Sequence, residues 1–143
     1  MPSLDGATIL MLEPDPDDQF ITTSVISELA YPVQVEFVNY GHEVFGYLEQ
    51  FYEQHHSYPK LILLSMPANV AEGAELLRRL KADKRYQHIP VIVLTGVRRA
   101  SVIKECYELG ASSCIQKPDS AKDTHAKIAN FFKYWLETSE LSS

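Results

Sequence analysis

Glu13, Ser65, Thr95 and Lys117 are the residues of this chain best placed to do chemistry together: a carboxylate, two hydroxyls and an ammonium, each at or just beyond the end of an apolar run. If the four run ends meet, the ammonium and hydroxyls face a common space as donors, and the carboxylate balances the charge of the lysine. That set reads as a phosphate pocket. Their neighbours are Pro14, Asp15, Asp17 and Asp18 after Glu13, Met66-Pro67 after Ser65, Gly96 after Thr95, and Pro118 after Lys117. A serine here could act as a nucleophile only with a base to take its proton.

Whether these residues meet depends on the elements that carry them. Apolar strand-like runs alternate with helix-like patterns five times. The expected strands are Ala7 to Leu12, Val33 to Val38, Leu61 to Leu64, Val91 to Thr95 and Ser112 to Gln116. The first, third and fourth are continuously apolar, as parallel strands buried on both faces must be. Val33-Gln34-Val35-Glu36-Phe37 alternates instead, which marks an edge strand. Between strands the period becomes helical: Ile21, Val25 and Leu29; Val44, Leu48 and Phe51; and Ile128, Phe131, Phe132 and Trp135. Asp15-Pro16-Asp17-Asp18 is a helix start, with Asp15 as N-cap and Pro16 in the first turn. Gly110 ends the fourth helix, and Ser120-Ala121-Lys122-Asp123 approximates a capping box before the fifth. Five βα units with right-handed crossovers predict an α/β fold with a single doubly wound parallel sheet, order 2-1-3-4-5, flavodoxin-like, with helices on both faces. Ligands of such sheets bind beyond the carboxyl ends of the strands where the order reverses, and this brings the four residues to one crevice.

The 143 residues, 45% hydrophobic and 22% charged, suit one soluble domain. Expected boundaries are an extension over 1–6, the domain over 7–137 and a tail over 138–143. No apolar run reaches the roughly 20 residues of a membrane span, and the N-terminus lacks the pattern of a signal peptide, so a cytoplasmic protein is expected. The net charge of −6 argues against nucleic acid as a partner. Cys106 and Cys114 lack CxxC spacing and read as reduced packing residues. His55-His56 reads as a surface loop after the second helix, since no third ligand is near in sequence.

From about Thr8 to Trp135 the chain resembles the receiver domain of bacterial response regulators. The resemblance rests on Ile9-Leu10-Met11-Leu12-Glu13 with Asp17-Asp18; on Leu61-Ile62-Leu63-Leu64 leading to Gly73-Ala74-Glu75-Leu76-Leu77; on Ile89-Pro90-Val91-Ile92-Val93-Leu94-Thr95; and on Gly110-Ala111-Ser112-Ser113-Cys114-Ile115-Gln116-Lys117-Pro118. It implies two-component (phosphorelay) signalling. In the family an aspartate eight residues before this glycine accepts a phosphoryl group from a histidine kinase; Ser65 stands there. The acidic pair that holds Mg²⁺ falls on Glu13 and Pro14. Thr95 and Lys117 match the hydroxyl and the lysine that contact the phosphoryl group, and Cys114 matches the aromatic that reorients on activation. Asn69 replaces the usual proline after the acceptor, and Glu72 matches the acid that precedes the glycine.

The resemblance therefore implies a pseudo-receiver that lacks the phospho-acceptor aspartate. It is not expected to be an enzyme, and it should act by protein–protein interaction, independently of phosphorylation. No cofactor is expected, Mg²⁺ being weak or absent with Glu13 and Asp15 the weak candidates. Glu13 is the expected partner of Lys117, with Asp15 the second candidate. The partners implied are a histidine kinase or a downstream output protein, with a homodimer as an option. The chain ends soon after its last helix, so output is expected to come from a partner. The partner face implied lies between about Arg98 and Lys133, with Arg98, Arg99, Tyr107, Gln116 and Lys133 upon it. Bland readings stand beside these: Glu13 and Lys117 as a structural ion pair, the aspartates as a solvated helix start, and Thr95 as a strand terminus. Two other functions compete: a conventional regulator with Asp15 or Asp17 as substitute acceptor, and a small α/β hydrolase using Ser65, whose Gly-x-Ser-x-Gly elbow is absent.

Overall fold

The apolar runs do pair into one parallel sheet. In the computed structural model, which describes residues 7–66, 70–96, 99–117 and 121–134, the strands β1 (Ala7–Leu12), β2 (Val33–Val38), β3 (Leu61–Met66), β4 (Val91–Thr95) and β5 (Ser113–Gln116) lie in the order β2-β1-β3-β4-β5. Between and after them run α1 (Pro16–Leu29), α2 (Glu43–His55), α3 (Val70–Ala82), α4 (Ala100–Glu108) and α5 (Ala121–Lys133).

Side-chain alternation divides the core in two. Leu10, Leu12, Ile62, Leu64, Val91 and Val93 face Val44 and Leu48 of α2, Leu76, Leu77 and Leu80 of α3, and Cys106 of α4. Ile9, Met11, Leu61, Leu63, Ile92 and Leu94 face Val25 of α1 and Ile128, Phe131 and Phe132 of α5. Burying a side chain such as Phe132 stabilises by roughly 2–3 kcal/mol, which is why α5 docks by this stripe. Trp135, assigned to the same stripe from sequence, lies outside the described residues, as does the capping box around Ser120.

Three strands have the bounds expected from sequence, and two differ. β3 runs past Leu64 to Met66, because Ser65 and Met66 stay in register with Leu94 and Thr95. Ser65 is therefore inside the ladder and not beyond it. β5 begins at Ser113, the first residue paired with β4, although the Ser112 amide already donates to Val91 O at 2.8 Å. Asp15 caps α1 as expected, its carboxylate accepting from the Asp17 amide at 2.9 Å. Gly110 closes α4 with φ of +106°, where a Cβ would also meet the Lys81 side chain at 2.9 Å. His55 is the last residue of α2, and His56 is its left-handed cap, so the pair ends a helix and does not form a free loop. Among the described residues no helix is long and apolar enough to cross a membrane.

Candidate functional site at the carboxyl edge of the sheet

Parallel register sets the carboxyl ends side by side. Leu12 pairs with Leu64, Met66 with Thr95, and Thr95 with Gln116, so Glu13 and Lys117 each follow a paired strand end. Two backbone bonds fix their stems: the Glu13 amide donates to Val38 O at 3.0 Å, and the Lys117 amide donates to Thr95 O at 2.7 Å. The side chains then meet across the sheet. Lys117 Nζ donates to Glu13 Oε1 at 2.6 Å and to Asp18 Oδ2 at 2.9 Å.

The second carboxylate corrects the expectation from sequence. Asp15 does not reach Lys117, because its side chain caps α1; instead its amide donates to Glu13 Oε2 at 3.3 Å. Asp18 is not merely solvated at a helix start. It sits one turn before Thr22 and two before Val25, both fully buried, so the inward face of α1 carries it towards the sheet. The Glu13 side chain is 2% exposed and that of Lys117 20%. Burial opposes the Lys117 ammonium, but the hydrogen bonds it donates to Glu13 and Asp18, with their charges, outweigh that and hold its pKa above the ordinary lysine value. Gln19 had no reading from sequence, yet it braces the site: its side-chain amide donates to Glu13 O at 2.6 Å and to Asn39 Oδ1 at 2.9 Å.

Pro14 and Ser65 line a different hollow. Alternation past β1 turns Glu13 to the α1 and α5 side, with Met11, and Pro14 to the other side, with Leu12. There a cleft of roughly 420 Å³ is lined by Pro14, Tyr40, His42, Ser65, Glu72 and Arg79, among others. The Tyr40 and His42 rings stack with centroids 5.6 Å apart. His42 thus shares a cleft with Ser65, but among the described residues no hydrogen bond joins the serine hydroxyl to a histidine. Thr95 is fully buried between β3 and β5. Among the described residues no three His, Cys, Asp or Glu side chains gather into a group able to hold a metal ion.

The other sequence-assigned positions spread over α4, β5 and α5. Arg99 is the exposed N-cap residue of α4, and Lys133 is exposed in the last turn of α5. Tyr107 is 48% exposed, and its hydroxyl accepts from the Cys114 amide at 3.1 Å. Gln116 is half-buried in β5. Arg98, Asn69, Pro67 and Pro118 lie outside the described residues.

The profile of the response regulator receiver domain matches residues 1–129. Among curated proteins, the chain is 25% identical over 132 residues to the probable methanogenesis regulatory protein FilR2 of Methanothrix harundinacea, covering 92% of this chain and 85% of that one. It is 27% identical over 131 residues to the response regulator Rcp1 of Synechocystis, covering 91% and 89%. Among solved structures, the Mn(2+)-bound form of Rcp1 superposes with a TM-score of 0.85 at 26% identity, over 96% of this chain and 99% of that one. The phosphorylated cyanobacterial phytochrome response regulator RcpA superposes with a TM-score of 0.84 at 27% identity, over the same shares. The sheet order, the paired strand ends and the match over most of the length agree: this chain belongs to the response regulator receiver domain family of two-component signalling.

Proposed function

We propose that this receiver works without an aspartyl phosphate and signals by constitutive protein–protein contact. The observation that carries the reading is the closed triad at the carboxyl edge, in which Lys117 is already neutralised by Glu13 and Asp18. A lysine held between two carboxylates is not waiting for a phosphoryl group. Among the described residues no histidine is bonded to Ser65, at the acceptor position implied by the family pattern, to take its proton.

The same residues do not fit Mg²⁺. One Glu13 oxygen is engaged by the ammonium and the other by the Asp15 amide, while Pro14 offers no side-chain donor. A hard cation that demands octahedral oxygen ligands would first have to displace Lys117. The substitute acceptors are no better placed, since Asp15 is committed as a helix cap and Asp17 stands exposed in the first turn of α1. Incubation of the purified protein with acetyl phosphate and Mg²⁺, followed by intact-mass measurement, should leave the mass unchanged. A stoichiometric gain of one phosphoryl group would overturn the proposal.

Receiver domains interact with histidine kinases and output proteins. For this chain we assign the contact to the α4–β5–α5 face. Arg99, Tyr107 and Lys133 are exposed there, with Gln116 at its strand. Charge reversal at Arg99 should weaken a purified partner at least about tenfold, or about 1.4 kcal/mol. Ser65→Ala should leave affinity within a few tenths of a kcal/mol, as for a change outside the interface. The opposite pattern in a calorimetric titration would move the functional surface to the cleft.

A further inference from the structure

The two cysteines are eight residues apart in sequence, one on α4 and the other on β5, and the chain between them turns at Gly110. The Ala111 amide donates back to Cys106 O at 3.0 Å, which folds this turn tightly against the end of the helix. Cys114, paired in register with Val93, projects to the side of the sheet that α4 covers, and it packs against the cluster that contains Cys106. Both thiols are free, and they lie close enough for each to bear on the other's ionisation. They also differ: Cys106 is buried, whereas Cys114 is only half-buried.

We propose that Cys106 and Cys114 form a redox-sensitive pair, oxidised to an intramolecular disulfide by a small disulfide such as oxidised glutathione, and that the bond pins α4 to β5. Cys114, the more accessible thiol, reacts first. Its sulfur, once deprotonated, attacks one sulfur of the small disulfide, forming a mixed disulfide and expelling one thiolate, which takes up a proton. Cys106 then attacks the Cys114 sulfur, and the second small thiol leaves with the Cys106 proton. The protein loses two protons and two electrons, and one small disulfide becomes two thiols.

The environment supports this order. Burial pushes the Cys106 thiol up to about 11, and the neighbouring Cys114 adds to the rise, so it is inert to solvent reagents by itself. Burial raises Cys114 as well, and the neighbouring Cys106 thiol offsets part of that rise. Cys106 thus acts only through a partner already in contact. Disulfides of reducing compartments are commonly transient and redox-sensing, and this one would lie within the face we assign to partner binding.

The test is intact-mass spectrometry and peptide mapping of the full chain equilibrated with glutathione at a graded ratio of oxidised to reduced form. The expected result is the loss of two hydrogens, a mapped Cys106–Cys114 link, and a fall from two alkylatable thiols to none after denaturation. Cys106→Ser should stop at a stable glutathione adduct on Cys114, and Cys114→Ser should remain unmodified. The wild-type mapping needs neither variant to fold. A wild-type protein that keeps both thiols in fully oxidised glutathione, that stops at a glutathione adduct, or that links only between chains would overturn the proposal.

Discussion

Lys117→Met should destabilise the protein by on the order of 3 kcal/mol, or roughly 10 °C in melting temperature. The variant removes the ammonium but leaves the Glu13 carboxylate nearly inaccessible to water, with the Asp15 amide at 3.3 Å its one remaining partner among the described residues. An uncompensated buried charge costs far more than the bond that once satisfied it. Asp18 contributes less to this loss, because its side chain is 21% exposed and water can replace the lysine there. Glu13→Gln added to Lys117→Met should recover most of the stability, since the remaining group is then neutral. If Lys117→Met melts within about 1 kcal/mol of the parent, the triad is ornamental. The pH dependence has a defined sign. Because folding raises the Lys117 pKa, its contribution is full below the ordinary lysine value of about 10.4 and disappears as pH rises through the higher folded value. The gap between parent and Lys117→Met should therefore hold from neutral pH to about 10 and close above it.

The second large effect is a gain. Changing Pro14 and Ser65 together to aspartate should create a Mg²⁺ response greater than the parent's, because two carboxylates are then added near Glu13 at the strand ends. Four acids with one lysine repel one another, so the double variant should melt below the parent without metal and recover when Mg²⁺ is added. At a hundredfold excess over its dissociation constant, the ion would return about 2.7 kcal/mol. The single variants should respond less. A double variant that folds yet shows no Mg²⁺ response in calorimetry or melting would mean that its strand ends are not arranged to share a cation. Pro14 and Ser65 line a cleft separate from the triad, so this variant also asks whether the two hollows can act as one.

Most of the architecture was legible because it is written in apolar continuity. β1, β2 and β4 start and stop where the apolar or alternating runs do, and the order of the strands follows from crossover handedness. The end of β3 was not legible in this way, since a ladder continues through backbone bonds that Ser65 makes as well as any apolar residue would. Glu13 and Lys117 were readable as partners from their positions at strand ends. Asp18 was hidden because an acid in the first turn of a helix needs no further explanation. A signal existed in the spacing Asp18, Thr22 and Val25, which marks the buried face better than Ile21, Val25 and Leu29 do. Two other contacts left no trace in any pattern: Gln19 reaching both Glu13 and Asn39, and the Tyr107 hydroxyl on the Cys114 amide. Each joins a side chain to a loop or strand whose approach only the assembled fold determines.

β5 is four residues long, and successive side chains in it serve opposite faces of the sheet. Cys114 belongs to the side under α4, Ile115 packs with α1 and α5, and Lys117 just beyond closes the triad with α1. The three largely apolar inner strands otherwise stand between the two halves of the core. A disturbance on one face thus has a short route to the other: rotation or sliding of this one edge strand, whose outer side no further strand pairs with among the described residues. Oxidation at the cysteines and rupture of the triad would pull on the same rod from opposite ends. Strain entered at either should register at the other as a change in the pairing of β5 with β4.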